Sequence, residues 1–368
     1  MDNTRYYLGF NLVSGIGPAR LDRLIERCGS LEAAWRAKPI DVLAAGLDTR
    51  SYHALLAAQR TIDLDAELER AERAGVTLVS REHPAYPPLL AQIPAPPPLL
   101  YVRGKLAPVD AWAVAVVGTR SPTSYGKEAA YRVVSDLAAA GVTIVSGLAM
   151  GIDTVAHKAA LAQGQRTIAV LACGADLVYP ERNGTLAEQI CESGAIVSEF
   201  PLGTRPTPQM FPVRNRLISG LSLGTLVVEA GIGSGALITV DFALEQGRDV
   251  FAVPGSIFSK VSTGTNRLIR NGAMLASGAE DILEALDLNT MAAQQEVQLT
   301  FPEDPAEAEL LEHVSYEPQH VDDLRRAAGL PIDQVSAMLA MLELKGLVRQ
   351  AGAMQYVRAR EQPEEYVV

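Results

Sequence analysis

Between Phe211 and Arg216 the chain reads Phe-Pro-Val-Arg-Asn-Arg, two guanidinium groups bracketing an amide in a protein of formal net charge −11 at pH 7. Arg214 and Arg216 each present a planar fork of donors that matches phosphate oxygens, and Asn215 both donates and accepts hydrogen bonds. The chemistry these residues suit is polyanion binding. Pairing with surface Asp or Glu is the other use of the same arginines.

Three further segments carry the same chemistry. Gly118-Thr119-Arg120-Ser-Pro-Thr-Ser-Tyr-Gly126 follows a β-branched run and precedes a helical pattern, the context in which backbone N–H groups and a helix N-terminus receive an anion. Ser146-Gly147-Leu-Ala-Met-Gly-Ile-Asp153 repeats that context, its glycines letting backbone donors face outward. Glu199-Phe-Pro-Leu-Gly-Thr-Arg205 leads on to the Phe211–Arg216 segment. Repeated phosphate-sized seats predict a track for a sugar–phosphate backbone.

Other chemistries find weaker support. Gly231-Ile-Gly-Ser-Gly-Ala236 fits G-x-G-x-x-A, but the strand after it ends in Pro254-Gly255 where a ribose-binding carboxylate belongs. No G-x-x-x-x-G-K-[ST] occurs. Asp153 and His157 lie one helical turn apart, which suits acid/base work, yet an acidic helix start with a hydrogen-bonded histidine explains the pair as well. No cofactor is expected. Glu229 at a strand end keeps a nucleotide-processing enzyme of the phosphoribohydrolase type as the alternative function, and hydrogen bonds to neighbouring loops are the other use of that carboxylate.

These seats require a scaffold that gathers strand ends on one edge. Short β-branched runs at Trp112–Val117, Val142–Val145, Thr167–Ala172, Ala195–Phe200, Thr225–Val228 and Asp249–Val253 alternate with helical patterns such as Lys127–Ala140 and Ile152–Gln163. Right-handed crossovers then give a parallel, extended Rossmann-like sheet whose strand C-termini share one rim. Ahead of it, the proline-dense stretch from His83 to Tyr101 predicts an extended lead-in. Gly15-Ile16-Gly17-Pro18 between two apolar-periodic stretches predicts a helix-hairpin-helix, serving either phosphate, with Arg20 and Arg23, or helix packing alone.

The chain has 368 residues, enough for several domains. The pattern divides into an N-terminal helical, helix-hairpin-helix or SAM-like domain over 1–80, the Rossmann-like α/β domain over 81–288, a linker over 289–305 and a winged helix over 306–360. The winged-helix pattern consists of helices at Ala306–Val314, Val321–Ala328 and Ile332–Lys345 followed by two short strands around Gly352. Its third helix carries Asp333 and Glu343 but no Arg or Asn for base edges, which favours protein contact or a structural role over duplex reading. Acidity concentrates at this end, residues 301–368 carrying about −7. Three cysteines in no metal-ligand spacing fit a reducing cytoplasm. No signal pattern or uninterrupted apolar span is seen, so a cytoplasmic protein without a membrane span is expected.

Taken together, Tyr86-Pro-Pro-Leu-Leu, Val116-Val-Gly-Thr-Arg120, the Ser146–Asp153 segment, His157, Phe211-Pro-Val-Arg-Asn-Arg-Leu-Ile-Ser219, Val228-Glu-Ala230, Ser234-Gly-Ala-Leu-Ile-Thr239 and Val253-Pro-Gly255 resemble the DNA-processing family DprA, also called Smf. The resemblance spans nearly the whole chain. One departure is Met150, where that family's motif carries arginine. The resemblance implies a single-stranded-DNA-binding homodimer, not an enzyme, that protects incoming DNA and loads the recombinase RecA during natural transformation. It further implies a phosphate pocket formed by Gly118, Thr119, Arg120, Ser146, Gly147, Arg205, Arg214, Asn215 and Arg216, with Phe211 as a stacking or wall residue.

Overall fold

A computed structural model describes residues 3–288 and 310–358, apart from 312, 316–317, 345–346 and 353. Two compact units divide at Leu288 and Asn289. The first begins with six helices, α1 (Thr4–Leu12), α2 (Pro18–Cys28), α3 (Leu31–Trp35), α4 (Pro39–Ala44), α5 (Thr49–Thr61) and α6 (Leu64–Arg73). Their starts follow local chemistry, since Ser30, Asp48 and Asp63 each accept a backbone N–H of the following turn. Tyr7, Leu8, Phe10, Leu24 and Leu55 form their shared core. At the hairpin, Arg20 donates to Gly15 O at 2.6 Å, Ser51 Oγ at 2.7 Å and Asp48 Oδ2 at 2.8 Å. Of the two uses expected for the hairpin, the packing one employs this cation.

The sheet that follows has nine strands in the order β1 (Thr77–Ser80), β2 (Leu99–Gly104), β6 (Ala195–Ser198), β5 (Thr167–Val170), β4 (Thr143–Ser146), β3 (Ala113–Val117), β7 (Gly224–Val227), β8 (Asp249–Ala252) and β9 (Met274–Leu275). From β6 to β9 every pairing is parallel. β1 and β2 extend that edge antiparallel, a departure from the all-parallel expectation, and they lie on either side of the proline-dense lead-in. Within the lead-in, Pro88–Ala91 forms a short helix, α7. Prolines at its first turn need no N–H partner there, and the chain is free to become a strand once they cease at Pro98.

Crossover helices α8 (Ser124–Ala139), α9 (Ile152–Ala162), α10 (Gly184–Ser193), α11 (Met210–Gly220), α12 (Ala236–Glu245), α13 (Thr263–Arg270) and α14 (Glu280–Ala285) complete the unit. Its core includes Val117, Val145, Val170, Leu217 and Val227. Leu99 and Tyr101 of β2 join the helical core instead, so one strand serves both hydrophobic clusters. The chain runs outward from β3 through β4, β5 and β6, then returns to place β7 on the other side of β3. The reversal opens a crevice at the C-terminal ends of β3, β4 and β7.

The second unit contains β10 (Gln319–His320), α15 (Val321–Ala328), α16 (Ile332–Leu344), β11 (Val348–Gly352) and β12 (Gln355–Arg358), its strands ordered β10-β12-β11. Leu324, Val335, Leu339 and Val348 fill its core. This is the helix and wing arrangement expected. The helix expected at 306–314 lies largely outside the described residues, as does the 289–305 linker.

Candidate functional site

The turns after β3, β4 and β7 are locked together at Thr119. Its N–H donates to Glu229 O at 2.7 Å, and its carbonyl accepts from Ile152 N at 3.2 Å. Gly151 makes this approach feasible, since at φ +86° a Cβ would lie 2.7 Å from Arg120 Cα. The Glu229 carboxylate accepts from Thr123 N at 2.9 Å and Thr123 Oγ1 at 2.6 Å, so it secures the β3–α8 turn. That is the hydrogen-bonding use of Glu229.

Across the crevice stands α11. Phe211, Arg214 and Asn215 follow an i, i+3, i+4 spacing and share one helical face, while Arg216 projects from another. Phe211, Arg214 and Asn215 line a cavity of about 600 Å³ together with Gly118, Arg120 and Tyr179. A smaller adjoining cavity of about 80 Å³ is lined by Arg120, Gly147, Met150, Tyr179, Phe211 and Arg214, among others. Arg120 is exposed, with its guanidinium carbon 5.2 Å from the centre of the Phe211 ring. Tyr179 lies beyond, its ring centroid 5.9 Å from that of Phe211. A cation and two aromatic faces thus occupy one wall.

Arg214 is the unusual member, only 4% exposed. Its Nη1 donates to Val170 O at 2.9 Å, and its Nε is buried without a hydrogen-bond partner. Burial pulls its pKa down to about 10, a shift that the neighbouring Asp153 opposes and Arg120 reinforces. Asp153 is itself pushed upward by burial, against the opposing pull of Arg214 and of hydrogen bonds from Ala149 N, Gly147 N and Ser146. A desolvated cation with an unmet donor is costly unless an anion completes it. Of the two explanations offered for His157, the hydrogen-bonded one describes it: Nδ1 lies 2.7 Å from Thr167 Oγ1, and burial lowers the imidazole to about 3.

Gly118, Arg120, Gly147, Phe211, Arg214 and Asn215 therefore come together. The other expected residues are placed differently. Ser146 is fully buried and donates to Val116 O at 2.7 Å, and Thr119 acts as a brace through its backbone. Arg216 is a correction: it bonds the Glu199 carboxylate and donates to Ala95 O at 3.0 Å, tying α11 to the lead-in instead of facing the cavity. Arg205 is exposed and lines neither cavity, although its neighbour Pro206 lines the smaller one. Gly147 contributes by having no side chain, since a Cβ there would overlap the Arg214 guanidinium. Asp153, weighed above for acid/base work with His157, and Tyr179, not singled out, also line the larger cavity. An aromatic ahead of a proline in the long loop after β5 was the available signal for Tyr179.

Comparison with known proteins accords with this architecture. The family described as DNA recombination-mediator protein A matches residues 77–287, and the DprA winged helix domain matches 292–354. Protein Smf of Synechocystis is 36% identical, the alignment covering 96% of this chain and 98% of that protein. Protein Smf of Escherichia coli is 40% identical over 89% and 90% of the two chains. The X-ray structure of DNA processing protein A from Streptococcus pneumoniae superposes with a TM-score of 0.67 at 34% identity, covering 77% of this chain and 98% of that one. A Helicobacter pylori structure at 29% identity and TM-score 0.52, covering 60% of this chain and 98% of that one, is described by its single-stranded DNA binding mode. Matched over most of its length and sharing both the sheet domain and the winged helix, the chain belongs to the DNA recombination-mediator protein A family, DprA or Smf.

Proposed function

We propose that the crevice beside β3 grips the backbone of single-stranded DNA, and that the protein protects incoming strands and loads the recombinase RecA onto them during natural transformation. The observation that carries this function is Arg214, a buried guanidinium with an unmet donor, lining a cavity shared with exposed Arg120 and the Phe211 and Tyr179 rings. Cationic groups beside aromatic faces hold single strands without base selection and with strong salt dependence. The related H. pylori protein, described by its single-stranded DNA binding mode, supports this ligand. A homodimer would place two such crevices on one strand and raise affinity through effective concentration. Cytoplasmic residence accords with the reducing environment its cysteines suit and with the family's work on DNA.

The enzymatic alternative is less well supported, because both Glu229 oxygens already accept hydrogen bonds from Thr123. Fluorescence anisotropy of a labelled oligo-dT across a salt series tests the proposal. Arg120→Ala and Arg214→Ala are each expected to weaken binding about ten-fold and to lower the salt slope by about one. Unchanged affinity and slope in both variants would overturn it. Release of free base from nucleoside monophosphates would instead establish the enzyme. RecA loading is read by the rate at which RecA forms filaments on strands already coated with single-strand-binding protein. Acceleration by the full chain is expected, with loss of acceleration in the Arg120 variant.

A further inference from the structure

The two cavities differ in charge and size. The larger, about 600 Å³, includes Asp153 in its lining. The smaller, about 80 Å³, has Arg120 and Arg214 in its lining and no Asp or Glu. Among the described residues neither guanidinium forms an ion pair within 4.0 Å. Arg214 is 4% exposed, its Nε has no hydrogen-bond partner, and the residue lines the small cavity, so a buried guanidinium without an ion-pair partner stands at its wall. The smaller cavity is on the scale of a phosphoryl group, and the larger on that of a nucleoside.

From this pattern we propose that the small cavity seats a phosphate monoester, so that the protein holds a phosphorylated strand end or a nucleoside monophosphate in preference to an internal phosphodiester. The proposal rests on the single-strand function above and deepens it. An internal diester carries one negative charge and must lead two sugars out of the cavity. A monoester carries about −1.5 to −2 at pH 7 and leads out only one. Two guanidinium groups without a lining carboxylate match the second charge, and one attached nucleoside fits the larger cavity, which shares Arg120, Tyr179, Phe211 and Arg214. Tyr179 is 49% exposed and offers an open ring face to the base. Gly147 forms the wall where any larger residue would meet the Arg214 guanidinium.

The test uses the full chain and a labelled hexamer of dT, prepared with a 5′-phosphate, with a 3′-phosphate and with hydroxyls at both ends, alongside dTMP and inorganic phosphate as competitors. A phosphorylated end is expected to bind about ten-fold tighter than the hydroxyl form, because its second charge strengthens the hydrogen bonds from the guanidinium groups. The two phosphorylated forms show which terminus is seated, and displacement by dTMP shows that the free nucleotide enters. Arg120→Met and Arg214→Met should both abolish the preference; Arg120 is exposed, so its variant remains informative even if the Arg214 variant fails to fold. Equal affinity for all three hexamers, with hydroxyl-ended strands still bound, overturns the monoester seat and leaves the single-strand function standing. Binding of dTMP with no binding of any hexamer leaves the seat and overturns the single-strand function.

Discussion

Gly147→Ala places one methyl group against the guanidinium on which the site depends. The Cβ would sit 2.5 Å from Arg214 Cζ and 2.7 Å from Nη2, and closer still to Nη1. Ordinary contacts begin near 3.5 Å, so the guanidinium must withdraw by roughly 1.5–2 Å to clear Nη1. Its 2.9 Å bond to Val170 O does not survive such a shift. Gly147 has no left-handed φ, so alanine meets no backbone strain and the effect travels through Arg214 alone. Breaking one buried, charge-assisted hydrogen bond costs about 1–3 kcal/mol of stability. Displacing the cation from the phosphate is expected to weaken single-strand binding about ten-fold, or ~1.4 kcal/mol, and to lower the salt slope by about one. Thermal melting together with salt-titrated anisotropy reads both quantities. A variant that binds dT oligonucleotides with wild-type affinity and slope while melting normally would refute the role given to Arg214.

Asp110 accepts from Arg166 Nε and Nη2 at 2.8 Å each, from Ala107 N at 2.7 Å and from Thr143 Oγ1 at 3.1 Å, at the opposite end of the strands from the site. Asp110→Ala should therefore lower unfolding stability by about 3–5 kcal/mol in urea melts without altering the salt slope of DNA binding. Phe211→Ala removes a ring from the cavity wall and the platform under Arg120. A loss of about 1–3 kcal/mol in oligo-dT affinity with an unchanged salt slope is expected by anisotropy. His157 titrates near 6.5 when unfolded and near 3 when folded. Below pH 6.5 the unfolded chain takes up a proton that the folded one refuses, so this stability is complete above 6.5 and is lost as pH falls toward 3, by at most about 1.4 kcal/mol per pH unit. The raised Asp153 carboxyl acts in the opposite sense over acidic pH, so the effect is read as the difference between wild type and His157→Gln in pH-dependent melts.

Strand positions from β3 to β8 were legible because their apolar runs are buried, only Asp249 at the start of β8 being exposed, and are separated by long helical periods. β1 and β2 were not, because their antiparallel pairing depends on distant partners and β2 begins immediately after Pro98. Within the site, glycine turns and arginine content pointed to the rim where the two cavities lie, while the different placement of Arg214 and Arg216 lay in helix phase. Two residues apart on α11, the two side chains project roughly 200° from each other. The Phe211, Arg214 and Asn215 spacing would have separated them once that segment was assigned to helix. Ser146 illustrates a different limit, since its inward direction follows from the last residue of a strand buried on both faces.

Arg216 also sets a mechanical dependence. Through Ala95 O it splints α11 to a proline-dense segment that contributes no residue to either cavity, and through the Glu199 carboxylate to the loop after β6. A protease nick between Ala91 and Pro97 would leave every cavity-lining side chain intact yet loosen one of the ties behind the helix that carries Phe211 and Arg214. The crevice wall is thus steadied from behind, by covalent continuity at a stretch that lines neither cavity.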